Sequence, residues 1–219
     1  MQVVWDYRML LLQGVWITIQ VTVTATMLAI VLSLLAGLAR QSNVWLLRTP
    51  ATVYVELFRG TSLLAQLFWM FFVLPAFGVS MTPLLCGVLA IGLCNGAYGS
   101  EIVRGALRSV AREQREAAIA LNFNRFQAFR IVVLPQAARI MTPLFGNLAI
   151  EVMKASSLVS LITLPDLTFQ ARNINLVHVV TAPVLIVVLL IYFAIALVIS
   201  GGTRGVEHAL AKGRDRLAA

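Results

Sequence analysis

The chain has 219 residues, 60% hydrophobic and only 12% charged, with mean hydropathy +0.89 and a formal net charge of +8. Soluble domains carry roughly 45–50% apolar and about 25% charged residues, so this chain cannot clothe itself against water. That excludes a soluble fold and makes an all-α, polytopic membrane protein the expected class. The positive charge, which in a soluble protein would suggest nucleic acid, must instead be read by its position along the chain.

Met9 to Ala39 carries no formal charge and exceeds the roughly 20 residues needed to cross a bilayer core, which places a first span at 12–39. Thr18, Thr22, Thr24 and Thr26 within it can return their hydroxyls to the helix backbone, so they do not argue against burial. Only Arg8, beside Asp6, precedes this run, and the run is too long for the apolar region of a signal peptide. From Arg40 to Arg59 the pattern changes. Arg48, Thr52, Glu56 and Arg59 recur near helical spacing, while Trp45, Leu46, Val53, Tyr54, Leu57 and Phe58 supply an apolar face. This predicts an amphipathic helix near the membrane surface, with Pro50 close to its start.

Gly60 to Ser100 is free of formal charge over twice the length of one span, so it must fold back, and Pro75, Gly78 and Pro83 mark the reversal. Spans two and three are expected at 61–77 and 83–108. Cys86 and Cys94 both fall in span three, about 12 Å apart along a helix, which is beyond disulfide reach. Gly87, Gly92, Gly96 and Gly99 permit close helix approach, and Glu101 can pair with Arg104 at i,i+3 where the span leaves the lipid. Span four, 138–161, contains Glu151 and Lys154. A more polar connection, 164–180, leads to span five at 181–200, and a basic tail closes the chain.

Five spans put the two termini on opposite sides. Of 17 Lys and Arg, Arg40, Arg48 and Arg59 lie between spans one and two; Arg104, Arg108, Arg112, Arg115, Arg125, Arg130 and Arg139 lie between spans three and four; four more lie in the tail. The other side has only Arg8 and Arg172. Because basic loops stay in the cytoplasm, the N-terminus is expected outside, with the C-terminus and the 110–137 loop inside.

That loop is the most informative stretch. Gln114 to Leu121 is composed of good helix formers, and Asn122 can adopt the left-handed conformation that ends a helix. Asn124 with Gln127 three residues on resembles a capping box for a second helix, and Leu134-Pro135 is expected to bend the chain into span four. A DNA-binding helix-turn-helix would look similar, but with spans on both sides the pair has no freedom to enter a groove. A solvated loop is the plainer reading. Against it, Ile119, Leu121, Phe123, Phe126 and Phe129 are too many apolar groups to leave in water without a partner surface.

The segment EAAIALNFNRFQAFRIVVLPQA resembles the EAA loop of permease subunits in ATP-binding-cassette importers. ELFRGTSLLAQLFWMFFVLP, GAYGSEIVRGALRSV and NLAIEVMKASSLVSLITLPDL resemble, in that order, the polar amino acid uptake branch of the family, over about residues 14–200. The chain departs from the usual pattern with Asn122 in place of glycine, Glu113-Gln114 in place of Gly-Gln, and Ala155-Ser156-Ser157 where Asp-Thr-Ser is common. The resemblance implies a cytoplasmic coupling helix received by a dimer of ATPase subunits that binds ATP and Mg, with Glu116, Ala117, Ala118, Leu121, Asn122 and Phe123 at the contact. It further implies a second permease subunit, identical or homologous, an extracytoplasmic substrate-binding protein, and a bacterial inner membrane.

The chain itself contains no G-x-x-x-x-G-K-[ST] loop and no nucleophile or metal constellation, so an enzyme is not expected and no cofactor of its own is implied. Glu151 and Lys154 are candidates for the substrate pathway because intramembrane charges are costly; a mutually neutralising structural pair is the alternative. Asn95 and Glu101 are further candidates, with packing or interface roles as the alternative. The expected function is ATP-driven import of polar amino acids, or an ectoine-like zwitterion, by alternating access. An ion-coupled carrier or channel is the competing class, but it predicts ionisable residues over several spans and no cytoplasmic docking element.

Overall fold

The computed structural model describes residues 5–178 and 181–215, with side chains to residue 209, so the basic side chains of Lys212, Arg214 and Arg216 lie outside that description. The described residues are helical apart from short connections. α1 (Arg8–Ala39) is the first long helix. Thr22 donates to the Thr18 carbonyl at 2.7 Å and Thr24 to that of Gln20 at 2.6 Å, which neutralises both hydroxyls inside the helix. Thr18 behaves differently. Its Oγ1 accepts the Leu167 amide at 3.2 Å from a distant connection, and the buried Thr26 hydroxyl has no partner among the described residues.

α2 (Trp45–Gly60) is amphipathic, burying Val55 against Ala36 and Ala97. Tyr54 anchors it by donating to the Leu93 carbonyl at 2.7 Å. The chain then bends by 102° into Leu63–Phe77, which begins as α3 (Leu63–Phe68), continues through a π-helical turn and ends in a 3₁₀ turn. Gln66 clasps this elbow, its Nε2 donating to the Phe58 carbonyl at 3.0 Å and to Thr61 Oγ1 at 2.7 Å. Leu63–Phe77 spans only about 22 Å at α-helical rise, short of the roughly 30 Å core. Among the described residues four helices are long and apolar enough to cross a membrane, and the bent pair makes a fifth only when its two arms are taken together.

The reversal falls at Gly78, whose φ of 83° is open to glycine without strain. Thr82 then caps α4 (Pro83–Ser109), accepting the Leu85 amide at 3.3 Å, with Pro83 in the first turn. α1 and α4 form the most extensive helix pair in the molecule. Small residues make this possible: a Cβ on Gly92 would lie 2.6 Å from Leu28 Cδ2, and one on Gly99 would collide with the Ser33 hydroxyl. Ser33 lies 2.6 Å from the Ala29 carbonyl and 3.2 Å from that of Gly96, so one proton serves both helices. Cys86 and Cys94 are buried free thiols.

α5 (Arg112–Ala120) and the turn after it lead into α6, a helix running without interruption from Arg125 to Ile162. At Leu134-Pro135, where a bend is expected from the sequence, the helix continues. Residues 128–133 form a π-helical turn, and Pro135 falls in the first turn of the α-helical stretch that follows. The wider π turn leaves a backbone carbonyl free, which lets the helix continue past a residue that has no amide hydrogen to donate.

Thr163, at φ 64°, ends α6. Asp166 then caps α7 (Leu167–His178), its carboxylate accepting the Phe169 amide at 2.9 Å and the Thr168 amide at 3.3 Å. The Thr168 hydroxyl meets the Tyr192 hydroxyl of α8 (Thr181–Asp215) at 2.9 Å. Asp166 is wholly buried.

Candidate functional site

α5 is a helix of nine residues held by its ends. At its start Arg115 reaches back to donate to the Leu107 carbonyl at 2.6 Å, occupying an unpaired acceptor in the last turn of α4. At its end the Phe123 amide bonds the Ala118 carbonyl at 3.0 Å and the Asn122 amide that of Ile119 at 2.9 Å. This 6→1 and 5→2 pair is a Schellman motif, and it requires the left-handed φ of 57° found at Asn122. Asn124 opens α6 with a complete capping box: Gln127 N donates to its Oδ1 at 2.8 Å, and its own amide donates to Gln127 Oε1 at 3.0 Å.

The six expected contact residues do not share one face. Ala118 is buried against its own chain, and Phe123 is half-buried in a cleft of about 260 Å³ with Leu107, Phe129 and Val133. Glu116, Ala117, Leu121 and Asn122 face outward, joined by exposed Ile119 and Phe126. Glu116 pairs with Arg112 at 2.7 Å, but an exposed i,i+4 pair contributes only about 0.3–0.5 kcal/mol, so its carboxylate is readily recruited elsewhere.

Glu101 is not an isolated charge. Its carboxylate meets Arg40 at 2.6 Å, Arg59 at 3.1 Å and Arg104 Nε at 2.7 Å, and Glu56 lies 3.8 Å from Arg40. The knot joins the C-terminal ends of α1 and α2 to α4, where cations also complement the helix dipoles. Only Arg104 is visible from sequence spacing. Arg40 and Arg59 carry no local signal, because their approach depends on how the helices pack. Asn95 is buried on α4 and donates to its own Ile91 carbonyl at 2.9 Å. Glu151 and Lys154 both lie on the exposed surface of α6, and neither forms an ion pair among the described residues. A mutually neutralising pair is thus not what the side chains form. Lys154 borders a groove with Met153, Ser157, Leu189, Tyr192 and Phe193. No group of His, Cys, Asp or Glu among the described residues could hold a metal ion.

Long apolar helices bundled together, with a short capped helix between two of them, fit a membrane-embedded protein. Residues 29–210 match the family described as the binding-protein-dependent transport system inner membrane component. The chain belongs to that family: it is an inner-membrane permease subunit of an ABC importer, and it does not itself hydrolyse ATP. A probable amino-acid ABC transporter permease of Sinorhizobium fredii is 46% identical over 215 residues, covering 95% of this chain and 90% of the relative. The glutamine transport system permease of Escherichia coli is 34% identical, covering 94% of each. Among solved structures, an amino acid ABC transporter crystallised with histidines superimposes with a TM-score of 0.87 at 32% identity, covering 93% of this chain and 95% of the other.

Proposed function

We propose that this chain is the pathway-forming subunit of an amino acid importer, driven through α5 by a separate cytoplasmic ATPase dimer that binds ATP and Mg. The carrying observation is α5 itself, a helix braced at both ends by Arg115 and the Schellman turn while Ile119, Leu121 and Phe126 stay exposed. A rigid helix with an unpartnered apolar face suits insertion into a groove on another protein, because little ordering cost remains to be met on binding. Glu116, Ala117, Leu121 and Asn122 make the contact; Ala118 and Phe123 hold the helix to its own chain. The charge asymmetry supports a cytoplasmic loop, an external N-terminus and an internal C-terminus. Five spans with so much exposed apolar surface call for a second permease subunit, identical or homologous, to complete the pathway. An external binding protein delivers the substrate.

Amino acids are the proposed substrate class, because the relatives named above are described as amino-acid and glutamine transport permeases; an ectoine-like zwitterion is the variant to include in an uptake panel. Glu151 and Lys154 suit a zwitterion, offering an anion and a cation one helical turn apart with no ion-pair partner among the described residues. Closure of the ATPase dimer would rock the spans between inward- and outward-open states around that site. The test is ATPase activity and uptake in reconstituted vesicles. Glu116→Arg combined with Leu121→Asp should abolish substrate-stimulated hydrolysis while the permease still inserts; undiminished stimulation would remove α5 from the coupling role.

A further inference from the structure

Two neighbouring grooves on α2 play no part in the transport reading. The first, of about 440 Å³, is lined by Asn43, Arg48, Thr49 and Thr52 together with Trp45 and Val53. The second, of about 510 Å³, is apolar, lined chiefly by Leu46, Pro50, Val53, Leu57 and Phe58. Trp45, Thr49 and Val53 line both, so the two grooves form one continuous surface with a polar end and an oily end. The helical repeat produces this arrangement: 45, 48, 49 and 52 share one stripe, and 46, 50, 53 and 57 share the adjacent one.

The charges select the sign of the occupant. Arg40 and Arg59 are committed to Glu101, and Glu56, the nearest carboxylate along the polar stripe, is met by Arg40. Arg48 makes no ion pair among the described residues, and the side chains around it are an amide and two hydroxyls rather than carboxylates. We propose that α2 carries a binding site for one anionic phospholipid of the surrounding bilayer. Arg48 receives the phosphate, Asn43 and Thr49 donate hydrogen bonds to it, and an acyl chain lies along Leu46, Pro50, Val53 and Leu57. Guanidinium matches phosphate oxygens in charge and geometry. A tryptophan 72% exposed at the junction, Trp45, suits the headgroup level, where indole rings concentrate. An amphiphile satisfies both halves of the surface. A free anion would leave the apolar groove bare, and an uncharged lipid would leave Arg48 unmatched.

The test uses the full-length chain purified in detergent, with native mass spectrometry reading retention of added phosphatidylglycerol against phosphatidylcholine. One phosphatidylglycerol should be retained preferentially, and Arg48→Gln should lower that retention about fivefold, the effect of losing one cation near an anionic headgroup. Arg48→Lys should keep most of it. Val53→Gln with Leu57→Gln should weaken retention while leaving the preference for the anionic headgroup. Equal retention by Arg48→Gln and wild type overturns the site. So does displacement of the lipid by millimolar inorganic phosphate, which would mark a simple anion site. Should Arg48→Gln fail to yield monodisperse protein, Thr49→Val provides the same readout, and unchanged preference in that variant counts equally against the proposal.

Discussion

Arg40 and Glu101 meet at 2.6 Å although 61 positions separate them in sequence. Arg40 ends the first span and Glu101 lies in the last third of the α4 span, so their contact locks the register of the most extensive helix pair in the molecule. Arg59 brings α2 into the same knot.

Arg40→Gln should therefore destabilise the permease by about 1.5–3 kcal/mol, the range for hydrogen bonds to charged groups, since Arg104 and Arg59 remain to hold Glu101. Thermal unfolding in detergent would register the loss. A double-mutant cycle with Glu101→Gln should show strong coupling, and additive effects would mean that the contact contributes little.

Asn122 occupies a left-handed position where a β-branched residue is strained. Asn122→Gly should be neutral or slightly stabilising. Asn122→Val should cost about 1–2 kcal/mol and loosen the end of α5. Its signature is a fall in both melting temperature and ATPase stimulation, whereas the glycine variant retains both.

Ala118 and Leu121 sit three residues apart on one short helix but face different surroundings, one buried and one exposed. Ala118→Leu should lower thermal stability through overpacking, by about 1–3 kcal/mol. Leu121→Ala should leave stability nearly unchanged and weaken co-purification with the ATPase. A reversal of these two phenotypes would show that α5 presents its other face to the partner.

Burial of the Asp166 carboxyl raises its pKa to about 6 from the ordinary 3.8, despite the backbone amides that favour its ionised form. A raised carboxyl pKa means that the folded state holds its proton more tightly than the unfolded chain does. Stability from this group is full below the unfolded value and is lost as pH rises through about 6. Melting temperature should increase on acidification from pH 8 to pH 5, and Asp166→Asn should flatten that segment of the profile while still capping α7.

Glu151→Gln and Lys154→Met should each impair uptake without lowering thermal stability, because neither side chain forms an ion pair among the described residues. Wild-type transport kinetics in both variants would remove them from the pathway.

Membership of the membrane class, the main helices and the punctuation of the 110–137 loop follow from local physics that sequence displays directly. Hydrophobic length limits where a helix can cross, glycine and proline mark Gly78 and Pro83, and the Asn122 turn and Asn124–Gln127 box depend on neighbours within a few positions. Tertiary structure decided everything that depends on which helix faces which. It made Glu101 a partner of Arg40 and Arg59, turned Ala118 inward and Leu121 outward, buried Asp166 beneath α8, and continued α6 past Pro135 after a π turn. Spacing along a chain determines which side chains share a helix face. Which face is covered, and by what, is settled only when the helices pack.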